Sequence, residues 1–102
     1  MTAYTRKPRP DKTEMFSQIT QQMAKTYEAK NHDYGNSFGN SMMEFGLTAA
    51  AVRMSDKLER IKSFAKMSPE QMQVKDESVQ DTLLDLANYA VMTLVELRSA
   101  SQ

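Results

Sequence analysis

Glu77-Ser-Val-Gln-Asp81-Thr-Leu-Leu-Asp85-Leu-Ala-Asn88-Tyr89-Ala-Val-Met-Thr-Leu-Val-Glu-Leu97 is the stretch whose reading decides the fold. At about 100° per residue, Glu77, Asp81, Asp85 and Asn88 fall in one stripe roughly 80° wide. The rest of the circumference is mostly apolar: Leu83, Leu84, Leu86, Ala87, Ala90, Val91, Leu94, Val95 and Leu97. A helix apolar on most sides is buried on most sides. Its acidic line must then meet water, a basic partner or a metal, because an unpaired buried carboxylate is costly. Oxygen ligands stacked along one rigid helix suit a hard divalent cation. The plainer reading of the same stripe is the solvated face of an amphipathic helix.

The flanking sequence supplies two more long helices. Phe16, Ile19, Met23 and Tyr27 recur at three- and four-residue steps and predict a helix over residues 13–30, with Thr13 or Asp11 as its N-cap. Leu47, Ala50, Met54, Leu58, Ile61 and Ala65 predict a second over residues 47–66 with Thr48 as an alternative N-cap, and the opening stretch is the third, over 77–99. Between the first two, Gly35, Gly39 and Gly46 alternate with Asn31, Asn36 and Asn40, which are turn formers, with room for a short helix over 40–45. Ser68-Pro69-Glu70 reads as a cap followed by Pro at a first helical position, so a short turn is expected between the second and third helices. No segment alternates with a period of two. The expected fold is all-α: an antiparallel bundle of three main helices with short connecting helices, completed by oligomerisation.

Composition narrows the function classes. A chain of 102 residues forms one domain with a modest core. Lys+Arg and Asp+Glu both number 13, so the basic excess of a nucleic-acid binder is missing. There is no cysteine, hence no disulfide framework and no thiol nucleophile. No apolar run approaches the length of a membrane span, which predicts a soluble protein with no membrane partner. The nine methionines read as core filling. Residues 1–12, with Lys7-Pro8-Arg9-Pro10, read as a flexible tail, and residues 13–99 as a single helical domain.

Three constellations carry chemistry. On the second helix Arg53, Lys57 and Arg60 lie within about 60° of one another, an arrangement suited to phosphate oxygens. The alternatives are a solvated face with Asp56 and Arg60 as an i,i+4 pair, or structural pairing of these cations with the acidic stripe. Lys30-Asn-His32-Asp33-Tyr34-Gly35-Asn36-Ser37-Phe38 brings a cation, a carboxylate, two aromatics and several hydrogen-bonding groups into one loop. There Tyr34 or Phe38 can stack on a base, and Asn36 or Ser37 can reach its edge or the sugar. A helix C-cap and turn is the structural alternative. Finally, Asp56-x-x-Glu59 and Glu77-x-x-x-Asp81 approximate two acidic pairs on neighbouring antiparallel helices, the layout by which all-α nucleotide pyrophosphohydrolases hold Mg²⁺. The second pair is spaced by four rather than three, and Glu59 points away from both the apolar stripe and the basic face.

Together, Lys30-Asn-His-Asp-Tyr-Gly-Asn-Ser-Phe38, Arg53-Met-Ser-Asp56-Lys57-Leu-Glu-Arg60-Ile61 and the segment Glu77–Ala90 resemble the nucleotide modification associated domain family, type one, over roughly residues 13–98. These are small proteins found mainly in phages and prophages, and the helical layout is also similar to MazG-like pyrophosphohydrolases. The resemblance implies a nucleotide or nucleotide-derived ligand and a place in the cytoplasm of a bacterial host. It implies nucleotide contacts at Lys30, Asp33, Tyr34, Asn36, Ser37, Phe38, Arg53, Lys57, Arg60, Asn88 and Tyr89. The leading expectation is an Mg²⁺-dependent (pyro)phosphohydrolase with Glu77, Asp81 and Asp85 as catalytic carboxylates, and with Asp56, Glu59, Glu77, Asp81 and Asp85 as metal ligands. The alternatives are a non-catalytic binder that sequesters a nucleotide messenger of host anti-phage immunity, and a structural helical bundle.

Overall fold

The structure is a computed structural model that describes residues 11–34 and 36–100; the side chains of Asp33 and Tyr34 fall outside the description, as do residues 1–10 of the expected tail. Five helices follow in order: α1 (Lys12–Tyr34), α2 (Ser37–Phe45), α3 (Leu47–Ala65), α4 (Pro69–Val74) and α5 (Asp76–Ala100). The described residues contain no strand, and none of their helices is long and apolar enough to cross a membrane. The fold is all-α, as the helical periodicities predict.

Local chemistry sets the boundaries. Asp11 Oδ1 accepts from the Thr13 backbone N–H at 3.0 Å and starts α1. Gly46 joins α2 to α3 with φ 65 and ψ −153, and its N–H donates to the Met42 carbonyl. That backbone region is almost exclusive to glycine, so Gly46 rather than Thr48 stands before α3. Ser68 closes a capping box with Gln71: its hydroxyl accepts from the Gln71 N–H, and the Gln71 side chain accepts from the Ser68 N–H. Two boundaries differ from the sequence expectation. α1 runs on through Asn31 to Tyr34, and α2 begins at Ser37, so most of the expected loop is helical.

α5 is the central element. α3 packs antiparallel along it, with Leu47 near Ala100 and Lys57 near Asp85. α2 folds onto α3, while α1 lies against α5 around Asn88 through Met23, Thr26 and Tyr27. The core between them is thin: Met42, Ala50 and Phe64 are its buried apolar residues. α5 contributes Thr82 and Thr93 as its most buried residues. Each hydroxyl donates to a carbonyl one turn back, Thr82 to Ser78 and Thr93 to Tyr89. These bonds satisfy the hydroxyls inside the helix and let a small side chain meet α3 closely. Leu83, Val91, Leu94, Val95 and Leu97, read from sequence as buried, are exposed in the single chain.

Candidate functional site: a cationic and aromatic cleft

Because α1 continues as a helix past Lys30, Thr26, Tyr27, Lys30 and Asn31 share one of its faces. That face looks toward the middle of α5, where Asp85, Asn88, Tyr89 and Met92 project at helical steps. Lys57 of α3 closes the hollow so formed, which holds about 200 Å³. A second hollow of about 240 Å³ shares Lys30, Asn31, Tyr89 and Met92 with it and adds Ser37, Phe38, Ser41 and Arg53. The shared residues make the two neighbours along one cleft, each below the 300–1,000 Å³ typical of a small-molecule site.

Among the described residues three cations, Lys30, Arg53 and Lys57, and one carboxylate, Asp85, border this cleft. Asp85 Oδ2 accepts from Lys57 Nζ at 3.0 Å, with the two side chains 41% and 20% exposed. Among the described residues Lys30 and Arg53 have no ion-pair partner. Phe38 and Tyr89 meet across the cleft with ring centroids 5.6 Å apart and planes at 49°, a tilted geometry worth about 0.5–1.5 kcal/mol beyond burial. The first turn of α2 opens on the same hollow at Ser37, and its N-cap residue Asn36 makes no side-chain capping bond. Free N–H groups at a helix start favour an anion.

The expected nucleotide contacts thus divide. Lys30, Ser37, Phe38, Arg53, Lys57, Asn88 and Tyr89 line one or both of the two hollows. Asn36 is exposed and lies over Gly39, where an added Cβ would collide with its carboxamide. Arg60 is exposed and lines neither hollow. The expected contacts at Asp33 and Tyr34 lie outside the described residues. Thr26, Tyr27, Asn31, Ser41 and Met92 are additions; for α1 the missed signal was the face that an unbroken helix would carry past Lys30.

The expected metal set does not assemble. Among the described residues no three His, Cys, Asp or Glu side chains form a group able to hold a metal ion. Glu59 pairs with Lys62 at 3.2 Å, one turn along its own helix. Asp56 and Glu77 are exposed and line none of the hollows around α1. Asp56 forms no ion pair with Arg60 among the described residues. Only Asp81 and Asp85 share a space, a hollow of about 300 Å³ with Gln22, Met23, Thr26, Leu84 and Asn88 that adjoins the cleft through Thr26, Asp85 and Asn88. Among the described residues, then, no dedicated carboxylate cage for Mg²⁺ forms within one chain, although two carboxylates with phosphate oxygens are a common way to hold this ion.

A family model described as nucleotide modification associated domain 1 matches residues 30–97. The matched span begins at the cleft residue Lys30 and takes in α2, α3, α4 and nearly all of α5. No curated protein and no solved structure matches the chain.

Proposed function

This chain belongs to the nucleotide modification associated domain 1 family, and on that premise we propose that its cleft binds a nucleotide. One observation carries the reading: Lys30, Arg53 and Lys57 gather with the Phe38–Tyr89 ring pair around two neighbouring hollows that share Lys30, Asn31, Tyr89 and Met92. Phosphate oxygens take charge-assisted hydrogen bonds from the three cations and from the open start of α2. The arriving phosphate competes with Asp85 for Lys57, so the ion pair holds the lysine in place until ligand replaces the carboxylate. The base stacks on the exposed face of the ring pair, and the Asn31 and Asn88 carboxamides offer both donors and acceptors to its edge or to the ribose. Binding alone satisfies this geometry. A protein of this kind sequesters its nucleotide intact.

Mg²⁺-dependent phosphohydrolysis is the second reading, favoured by the hollow that Asp81 and Asp85 share beside the cleft. These two carboxylates would hold the ion together with the ligand's phosphates, and the ion would supply charge neutralisation and an activated water.

Titration calorimetry with nucleoside mono-, di- and triphosphates and cyclic nucleotides, in Mg²⁺ and in EDTA, tests the proposal. Saturable binding in EDTA, with the ligand recovered intact after denaturation, supports the binder. Turnover that appears only with Mg²⁺ supports the second reading. A protein with no affinity for any of them is a structural bundle, and the cleft reading falls.

A further inference from the structure

We infer that α5 carries a self-complementary seam by which two copies of this chain pair, antiparallel, through a face that no helix among the described residues covers. The inference is independent of the nucleotide reading. Around α5 at about 100° per residue, the buried Thr82 and Thr93 share a sector with Tyr89, which stands beside Lys57 and Arg53 of α3, and α1 takes the sector of Asn88 and Met92. The remaining third holds Leu83, Ala87, Ala90 and Leu94. Their steps of four, three and four residues are the spacing of a coiled-coil seam, not of a solvated face. Leu83 is 48% exposed and Leu94 49%, and Ala90 is also exposed.

The occupant is a second copy because the seam fits its own reverse. Turned end for end, Leu83 of each chain faces Leu94 of the other, and Ala87 faces Ala90. The two alanines lie at the centre, where the backbones must come closest, and the leucines lie outside them. A two-fold axis between positions 88 and 89 relates the copies, so one patch serves both sides of the contact. The charges favour this direction. Asp76 lies on the line of the seam at one end of α5 and Arg98 beside it at the other, both exposed. Antiparallel copies set each Asp76 within a turn of the other chain's Arg98. Parallel copies would instead set Asp76, which continues the seam, against its own equivalent, and like charges in that position repel.

Light scattering on the full chain tests this. The expected mass is twice the 11.6 kDa of one chain; a monomer across the micromolar range would overturn the inference. Leu94→Glu should give a monomer with unchanged helical circular dichroism, since the site is already half exposed. A dimer that survives Leu94→Glu but is lost in Phe16→Glu would place the contact on α1 and overturn it. Asp76→Arg and Arg98→Glu should each weaken the dimer, and the double exchange should restore it; failure to restore rejects the register. The chain has no cysteine, so direction can be read by oxidation. A mixture of Leu83→Cys and Leu94→Cys chains should cross-link, while Leu83→Cys alone should not. Cross-linking of Leu83→Cys alone would mean a parallel pair and contradict the inference.

Discussion

Lys57 and Asp85 are far apart in sequence and 3.0 Å apart in space. Their contact fixes how α3 lies on α5 at the level of the cleft. Both side chains keep some exposure, so the pair contributes less than about 1 kcal/mol to stability. The same lysine is worth more to a phosphate, because a charge-assisted hydrogen bond contributes about 1.5–3 kcal/mol. Lys57→Ala should therefore weaken nucleotide binding by that amount in calorimetry while moving the melting temperature little. Asp85→Asn separates the two readings of the site. It removes the carboxylate that competes for Lys57, so nucleotide affinity in EDTA should rise; if Asp85 instead holds Mg²⁺, metal-dependent turnover should vanish. Phe38→Ala should weaken nucleotides by about 1–3 kcal/mol, the scale of base stacking on an aromatic ring, and leave pyrophosphate binding unchanged. Residue chemistry was largely legible in the sequence, since Arg53 and Lys57 share a helical face by simple angular arithmetic. Arg60 shares that face yet lines neither hollow of the cleft, and the periodicity of α3 carries no information on where its neighbours end.

At the scale of elements, the three long helices follow from their apolar periods, and the Ser68 cap from its Pro and Gln neighbours. Residues 31–34 did not read as helix because Asn31, His32 and Asp33 have weak helix propensity and Gly35 follows. Packing of Thr26, Tyr27 and Asn31 at the cleft offsets that weakness, a tertiary effect that local propensity does not contain. The inner face of α5 was misjudged for a related reason. Hydropathy ranks Leu83 and Leu94 above Thr82 and Thr93, but a threonine that bonds its own helix is small and satisfied, and so suits the close contact with α3. Thr93→Val should accordingly cost under about 1.5 kcal/mol, the scale of one neutral hydrogen bond, because the Tyr89 carbonyl that loses the hydroxyl keeps its helical N–H. Gly46→Ala tests the α2–α3 corner. No neighbour blocks its Cβ, so the cost is purely that of a positive φ, about 1–3 kcal/mol in a denaturant melt.

The whole molecule is an open assembly of helices around α5. Met15, Phe16 and Ile19 on the first half of α1, and Leu83, Val91 and Leu94 on α5, leave more apolar surface exposed than a free-standing domain this small readily tolerates. Hydrophobic patterning revealed that α5 needs cover on most sides, but not which helix supplies it. The cleft is an outcome at this scale too: its walls come from α1, α2, α3 and α5, and only the assembled fold brings Lys30 and Phe38 to Arg53 and Tyr89. The most direct test of the nucleotide reading is calorimetric titration of the metal-free full chain with a panel of nucleoside phosphates, alongside Arg53→Ala and Lys57→Ala. The account predicts saturable binding with one site per chain for at least one nucleotide, weakened about tenfold or more by either substitution. Absence of heat with every nucleotide, or binding that both substitutions leave unchanged, would contradict it.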